Sequence, residues 1–296
     1  MSTNDIWIMV TGILVAACSG ILGSFLVLRK MAMVGDAISH SVLPGIVIAF
    51  LISGSRDSLA MMLGASIVGL ITVFLIQMFH QSGVQSDAAI GVVFTSLFAL
   101  GVILVSMYTR NIDLDLDCVL YGEIAFVPFH DVTLFGVEMP KAVWGLAIAL
   151  LLIVVLVGLF YKQFKICSFD PALAAAVGIP VVLFHYLLMG MVSLTTVASF
   201  ESVGAILVVG MLVIPAATAY LLTDRLARMI LYSVLVGITS VLLGYYVSYV
   251  LDASIAGCIV TVAGVLFVLA FLLSPTHGII AKRLAQRRNA MMGSRA

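Results

Sequence analysis

Long apolar runs separated by short polar segments recur along the whole chain, at residues 6–28, 37–52, 59–79, 88–107, 142–161, 181–198, 203–222, 230–251 and 255–273. Such runs read as membrane-crossing helices, because a hydrocarbon layer of about 30 Å takes roughly twenty helical apolar residues to cross. The pattern predicts an all-α integral membrane protein with about nine transmembrane helices in one polytopic domain, residues 1–275. Residues 119–129 make too short a run to cross, and are expected to lie as an interfacial helix. Composition agrees: 63% of the 296 residues are hydrophobic and 9% are charged. A mean hydropathy of +1.26 excludes an ordinary soluble domain.

The polar punctuation sets the orientation. The first run begins with Asp5 instead of a basic head and is too long for a signal peptide, so it is expected to remain in the mature protein. With the N-terminus outside, eleven of the fourteen Lys and Arg fall in the cytoplasm: Arg29, Lys30, Lys162, Lys165, Arg225, Arg228, Lys282, Arg283, Arg287, Arg288 and Arg295. Residues 276–296 then form a basic cytoplasmic tail against the lipid headgroups. Zero formal charge offers no argument for a nucleic-acid partner. The outer segment 110–141 carries six acidic and two basic residues, making an acidic vestibule, a docking surface or an ordinary solvated loop. Cys18, Cys118, Cys167 and Cys258 form no CxxC or Cys/His cluster and read as packing residues.

Every Lys and Arg lies at or beyond a predicted helix end, whereas Asp36 and Glu201 fall at or within the margins of apolar runs. Asp36 and His40 are four residues apart, so a helix places both on one face. A carboxylate and an imidazole are costly in hydrocarbon, and a path for a proton or a metal ion is the usual reason to keep them. Carboxylate oxygen with imidazole nitrogen suits Mn(II), Fe(II) or Zn(II) better than Mg(II) or Ca(II). Two ligands per chain need completion by water or by a second subunit. Other readings stay open: Asp36 as a helix cap, His40 as a core histidine, Glu201 as a wet hinge between two helices.

Residues 170–178 read as a short helix with its punctuation written out. Asp170 is a good N-cap, Pro171 fits the first turn, an alanine run follows, Gly178 closes the C-terminus and Pro180 prevents continuation. At two turns it cannot cross a bilayer, and on the cytoplasmic side it is expected to expose Leu173, Ala174 and Val177 to a motor subunit or to pack on its own chain. Gly204, Gly210 and Pro215 interrupt the next apolar run, which allows either close packing or a hinge.

The run Gly35-Asp36-Ala37-Ile38-Ser39-His40-Ser41-Val42-Leu43-Pro44-Gly45, together with Val203 to Thr218, resembles the permeases of the bacterial metal-ion ABC importers for manganese, zinc or iron. The resemblance covers about residues 14–273. It implies a layout similar to the vitamin B12 and siderophore permeases less one helix, with residues 170–180 at the position of the family's coupling helix. It also implies two permeases, identical or related, around a central path, separate cytoplasmic ATPases, an extracytoplasmic metal-binding lipoprotein and a bacterial plasma-membrane location. Asp36 and His40 match the family motif as translocation ligands, with Glu201 a weaker transfer. The segment from Leu116 to Glu123 leans toward manganese and iron members. The chain is then no enzyme and holds no permanent cofactor; its cargo is a divalent metal, manganese ahead of iron or zinc.

A different class, a secondary proton-coupled divalent-cation transporter, would use the same Asp36 and His40, but no inverted repeat accompanies them. His-Glu-x-x-His is absent, as is any Gly-x-x-x-x-Gly-Lys-Ser/Thr, which argues against a zinc protease or an ATPase in this chain.

Overall fold

The computed structural model describes residues 3–53, 58–108, 124–129, 131–134 and 137–274. The chain runs through α1 (Thr3–Leu28), α2 (Met33–Ser41), α3 (Leu43–Ser53), α4 (Ser58–Gln81) and α5 (Ser86–Tyr108). A 3₁₀ turn (Ile124–Phe129) and two strands, β1 (Asp131–Leu134) and β2 (Val137–Pro140), come next. Then follow α6 (Lys141–Leu159), α7 (Tyr161–Phe169), α8 (Pro171–Ala176), α9 (Val181–Leu222), α10 (Leu226–Leu251) and α11 (Ile255–Leu273). Among the described residues nine helical segments are long and apolar enough to cross a membrane, as the hydropathy pattern predicts. α2 and α3 jointly make the second, Met33–Ser53, and α9 contains two, Val181–Phe200 and Ser202–Leu222.

The α9 run is a merger of two spans. Its 42 residues would extend about 63 Å as a straight helix, twice the hydrocarbon thickness. The break falls at Gly204, with φ 78° and ψ 165°, a conformation that is essentially glycine-only. The flanking Ser199, Phe200, Ser202 and Val203 are buried, so the junction lies inside the protein and not in a solvated loop.

α1 and α9 lie at the centre and α11 at the periphery. The lipid tails are as apolar as the side chains, so close backbone approach must supply the attraction between helices. Gly12, Ala16 and Gly20 of α1 meet Val241, Gly237 and Ser233 of α10 in antiparallel order, four residues per step. At the α3–α4 crossing Gly45 and Gly64 face each other, and a Cβ on either would overlap the other's carbonyl oxygen.

Outside the helices, β1 and β2 pair antiparallel, with Asp131 opposite Pro140 and Thr133 opposite Glu138. The hydropathy pattern missed this hairpin, although Val132, Leu134, Val137 and Met139 carry the two-residue alternation of strands. Of the segment expected as an interfacial helix, residues 124–129 are described and form a 3₁₀ helix whose Ile124, Val127 and Pro128 are buried, in contact with α1. The rest of that segment, Cys118 and the acidic Asp113, Asp115, Asp117 and Glu123, lie outside the described residues, as does the tail 276–296.

Candidate functional site

The Asp36 and His40 helix is kept short by a proline one turn downstream. Pro44 has no N–H, so the His40 carbonyl cannot receive the i+4 hydrogen bond. Helix geometry resumes with the Ile46 N–H donating to the Val42 carbonyl at 3.1 Å. The joint needs space on its far side, and Gly101 of α5 supplies it: a Cβ there would stand 2.9 Å from Pro44 Cδ. Ser41 is anchored to α4. Its hydroxyl is hydrogen-bonded to the Thr72 hydroxyl at 2.7 Å, and each also has a carbonyl of its own helix in range, Ile38 at 3.2 Å for Ser41 and Val68 at 2.8 Å for Thr72.

Asp36 Oδ1 and His40 Nε2 are 3.5 Å apart, and each side chain is 33% exposed. The first turn of α2 has no side-chain cap at Ala32, so Asp36 faces His40 without capping the helix. Their separation exceeds the roughly 2.7–2.9 Å of a tight charged hydrogen bond, leaving lone pairs on both groups uncommitted. The rings of Phe94 and Phe98, one turn apart on α5, flank the imidazole with centroids 6.0 Å away on either contact. Val34, Gly35, Ala37, Ile38, Ser39 and Ser41 are buried, so the other faces of α2 are held by protein while the pair opens on the chain's surface. Among the described residues no third His, Cys, Asp or Glu joins it.

The packing behind the pair is a feature that the hydropathy pattern cannot supply. Leu212, in the second span of α9, lies between α1 and α2. A Cβ on Gly35 would overlap its Cδ2, and one on Gly23 would overlap its carbonyl oxygen. The residue beside Asp36 is thus pressed against the helix that starts at the Gly204 break. Gly210 faces Val260 of α11, where a Cβ would come within 2.8 Å, and Pro215 lies inside the same span. Glu201 precedes the break by three residues, and its side chain lies outside the described part of the structure.

The second element is α8. Asp170 caps it as its sequence suggests, the Leu173 N–H donating to Oδ1 at 2.9 Å. Gly178, at φ 85°, ends it, and the Ile179 N–H donates to the Ala174 carbonyl at 2.9 Å, the Schellman arrangement. Leu173 and Val177 are 53% and 68% exposed. Ala174 corrects the expectation of an exposed side chain: it is fully buried, because α8 lies on α7 and α9 and turns that face inward. Beneath it Phe164 of α7 packs on Phe25 of α1 and Phe184 of α9, with centroids 5.7 and 5.4 Å away. Cys167 is buried beside this cluster, and burial pushes its thiol above the usual range, which leaves it protonated and inert.

The sequence profile described as "ABC 3 transport family" matches residues 4–274. The chain is 57% identical over 281 residues to the manganese transport system membrane protein MntD of Bacillus subtilis (strain 168), covering 95% of each. It is 40% identical to the zinc transport system membrane protein TroD of Treponema pallidum (strain Nichols), over 95% of this chain and 77% of that one. Among solved structures it is similar to PsaBC from Streptococcus pneumoniae in complex with Fab, with TM-score 0.78, 34% identity and 94% of both chains covered. An inward-facing putative metal-chelate type ABC transporter has the same fold at TM-score 0.63 and 18% identity, over 90% of this chain and 84% of that one.

Proposed function

Because this chain belongs to the ABC 3 transport family, as a multi-pass permease of the bacterial plasma membrane, we propose that it carries a divalent transition-metal ion, manganese ahead of iron and zinc, through a path lined by Asp36 and His40. The observation that carries the reading is that pair: two metal-competent donors 3.5 Å apart in an apolar span, open to the chain's exterior. Oxygen with imidazole and no thiolate favours a borderline ion that must be released as well as bound. The relative at 57% identity is named for manganese, which supports the order of metals.

Two donors make an incomplete coordination shell, so a second permease, identical or related, faces the pair and completes it with water or its own ligands. Leu173 of α8 and Val177 at its C-terminal end contact a cytoplasmic ATPase, which supplies the ATP hydrolysis. An extracytoplasmic metal-binding lipoprotein delivers the ion. Glu201, near the Gly204 break, is a further lining residue of the same path. Alternating access then moves the two spans of α9 about Gly204 while the ion passes the α2 turn.

Reconstitution of the chain with its ATPase in lipid vesicles tests this. Uptake of radioactive manganese should require ATP and be competed by iron and zinc but not by magnesium. Uptake driven by a proton gradient without ATP would overturn the reading in favour of the secondary-transporter alternative.

A further inference from the structure

We propose that Arg29 is a coupling residue, a strut joining the elbow before the Asp36 helix to the helix that feeds α8. The proposal rests on the reading of α8 as the ATPase contact.

Two rungs connect α1 to α7. Phe25 packs on Phe164, and four residues further along each segment Arg29, just past the end of α1, donates its Nε–H to Ser168 Oγ at 3.0 Å. Ser168 donates its own proton to the Phe164 carbonyl at 2.7 Å, which orients the hydroxyl oxygen to accept from the guanidinium. The ring contact lies within α1 and the hydrogen bond just past its end, so a slide of α7 must pull the end of α1 or break the bond.

Both ends of the strut are short of slack. After Arg29 the chain turns at Lys30, φ 57°, with the Met31 N–H donating to the Leu26 carbonyl at 2.9 Å and the Val34 N–H to the Met31 carbonyl at 3.1 Å. Asp36 follows one turn into α2. At the other end, Ser168 stands two residues before Asp170, the cap of α8.

Positive-inside topology accounts for Lys30, Lys162 and Lys165, which are exposed, but not for an arginine turned inward. Arg29 Nη2 is buried and has no acceptor among the described residues. His185 of α9, whose Nε2 is likewise buried without a partner among them, lies within electrostatic reach. An unpaired buried guanidinium N–H is costly, so this state leaves Arg29 with a bond to gain when α7 moves.

The test uses the full chain reconstituted with its ATPase and reads manganese ions transported per ATP hydrolysed. In R29A the complex should assemble and hydrolyse ATP, while ions per ATP fall about tenfold, the scale of a typical coupling between sites. S168A should lower the ratio less, and S168T, which keeps the hydroxyl, should restore it. An unchanged ratio in R29A, or an equal fall in S168A and S168T, overturns the strut; where R29A does not fold, the Ser168 pair decides alone. L173D separates the two levels. If it blocks ATPase assembly while R29A keeps its ratio, only the strut fails; if it still assembles, the docking role of α8 falls and the strut with it.

Discussion

On α2 a carboxylate and an imidazole sit in an apolar span, each one-third exposed, whereas Leu173 of α8 and Val177 at its C-terminal end are 53% and 68% exposed. The two regions depart from the solvent rule in opposite directions. Polar groups facing lipid depth call for a polar partner, and apolar groups facing water call for an apolar one. Each region is held rigidly from behind, α2 by its buried faces and α8 by Ala174 above the Phe25, Phe164 and Phe184 cluster. The difference is the one the proposed function needs, a polar pair suited to an ion on one surface and an apolar pair suited to a protein partner on the other.

The largest effect should come from Asp36→Asn, which removes the anionic donor and leaves the shape: ATP-driven manganese uptake should vanish while insertion and ATPase assembly persist. Uptake at the wild-type rate would take Asp36 out of the path. Next is Leu173→Asp, which puts a charge on the proposed docking surface; affinity for the ATPase should fall by more than about tenfold, since truncated or charged anchors cost ~2 kcal/mol or more. Unchanged association in a pull-down would erase the contrast between the regions.

Gly204→Ala probes what lies between them. A Cβ at φ 78° and ψ 165° costs about 1–3 kcal/mol, so the thermal midpoint in detergent should drop and the uptake rate with it. A wild-type midpoint would show that the break is relaxed and not imposed. The smallest effect is expected from Gly35→Ala, which pushes on a single methyl at the flexible end of Leu212, should cost about 1 kcal/mol and should lower uptake slightly. Adding Leu212→Ala should recover part of the lost uptake. If the double variant is simply the sum of the two singles, Leu212 does not position the Asp36 helix.

Much of this was legible beforehand, for identifiable reasons. Hydropathy is a property of the chain in one dimension, so the nine spans among the described residues could be placed by reading along it. The start and stop of α8 are local chemistry, an Asp170 side chain within three residues of its N–H partner and a glycine at positive φ. The spacing of Asp36 and His40 is also local, and one helical turn brings them together. What escaped was non-local or smaller than a span. Ala174 looked as exposed as its neighbours because an alanine-rich helix has no amphipathic stripe to mark its inward face. The β1–β2 hairpin was hidden by its brevity, since four-residue strands carry little periodic signal.

The sequence by itself determined which segments cross the membrane, where the short helix begins and ends, and which titratable groups lie in the apolar part. Only the tertiary structure decided that Leu212 presses on Gly35, that two spans join through Gly204, and that Arg29 reaches Ser168 across 139 residues of chain. The reason lies in the solvent. In a membrane helix every face is apolar, so hydropathy marks the helix but not the face, and the choice of neighbour is left to shape and to the few hydrogen bonds that helix packing brings into range.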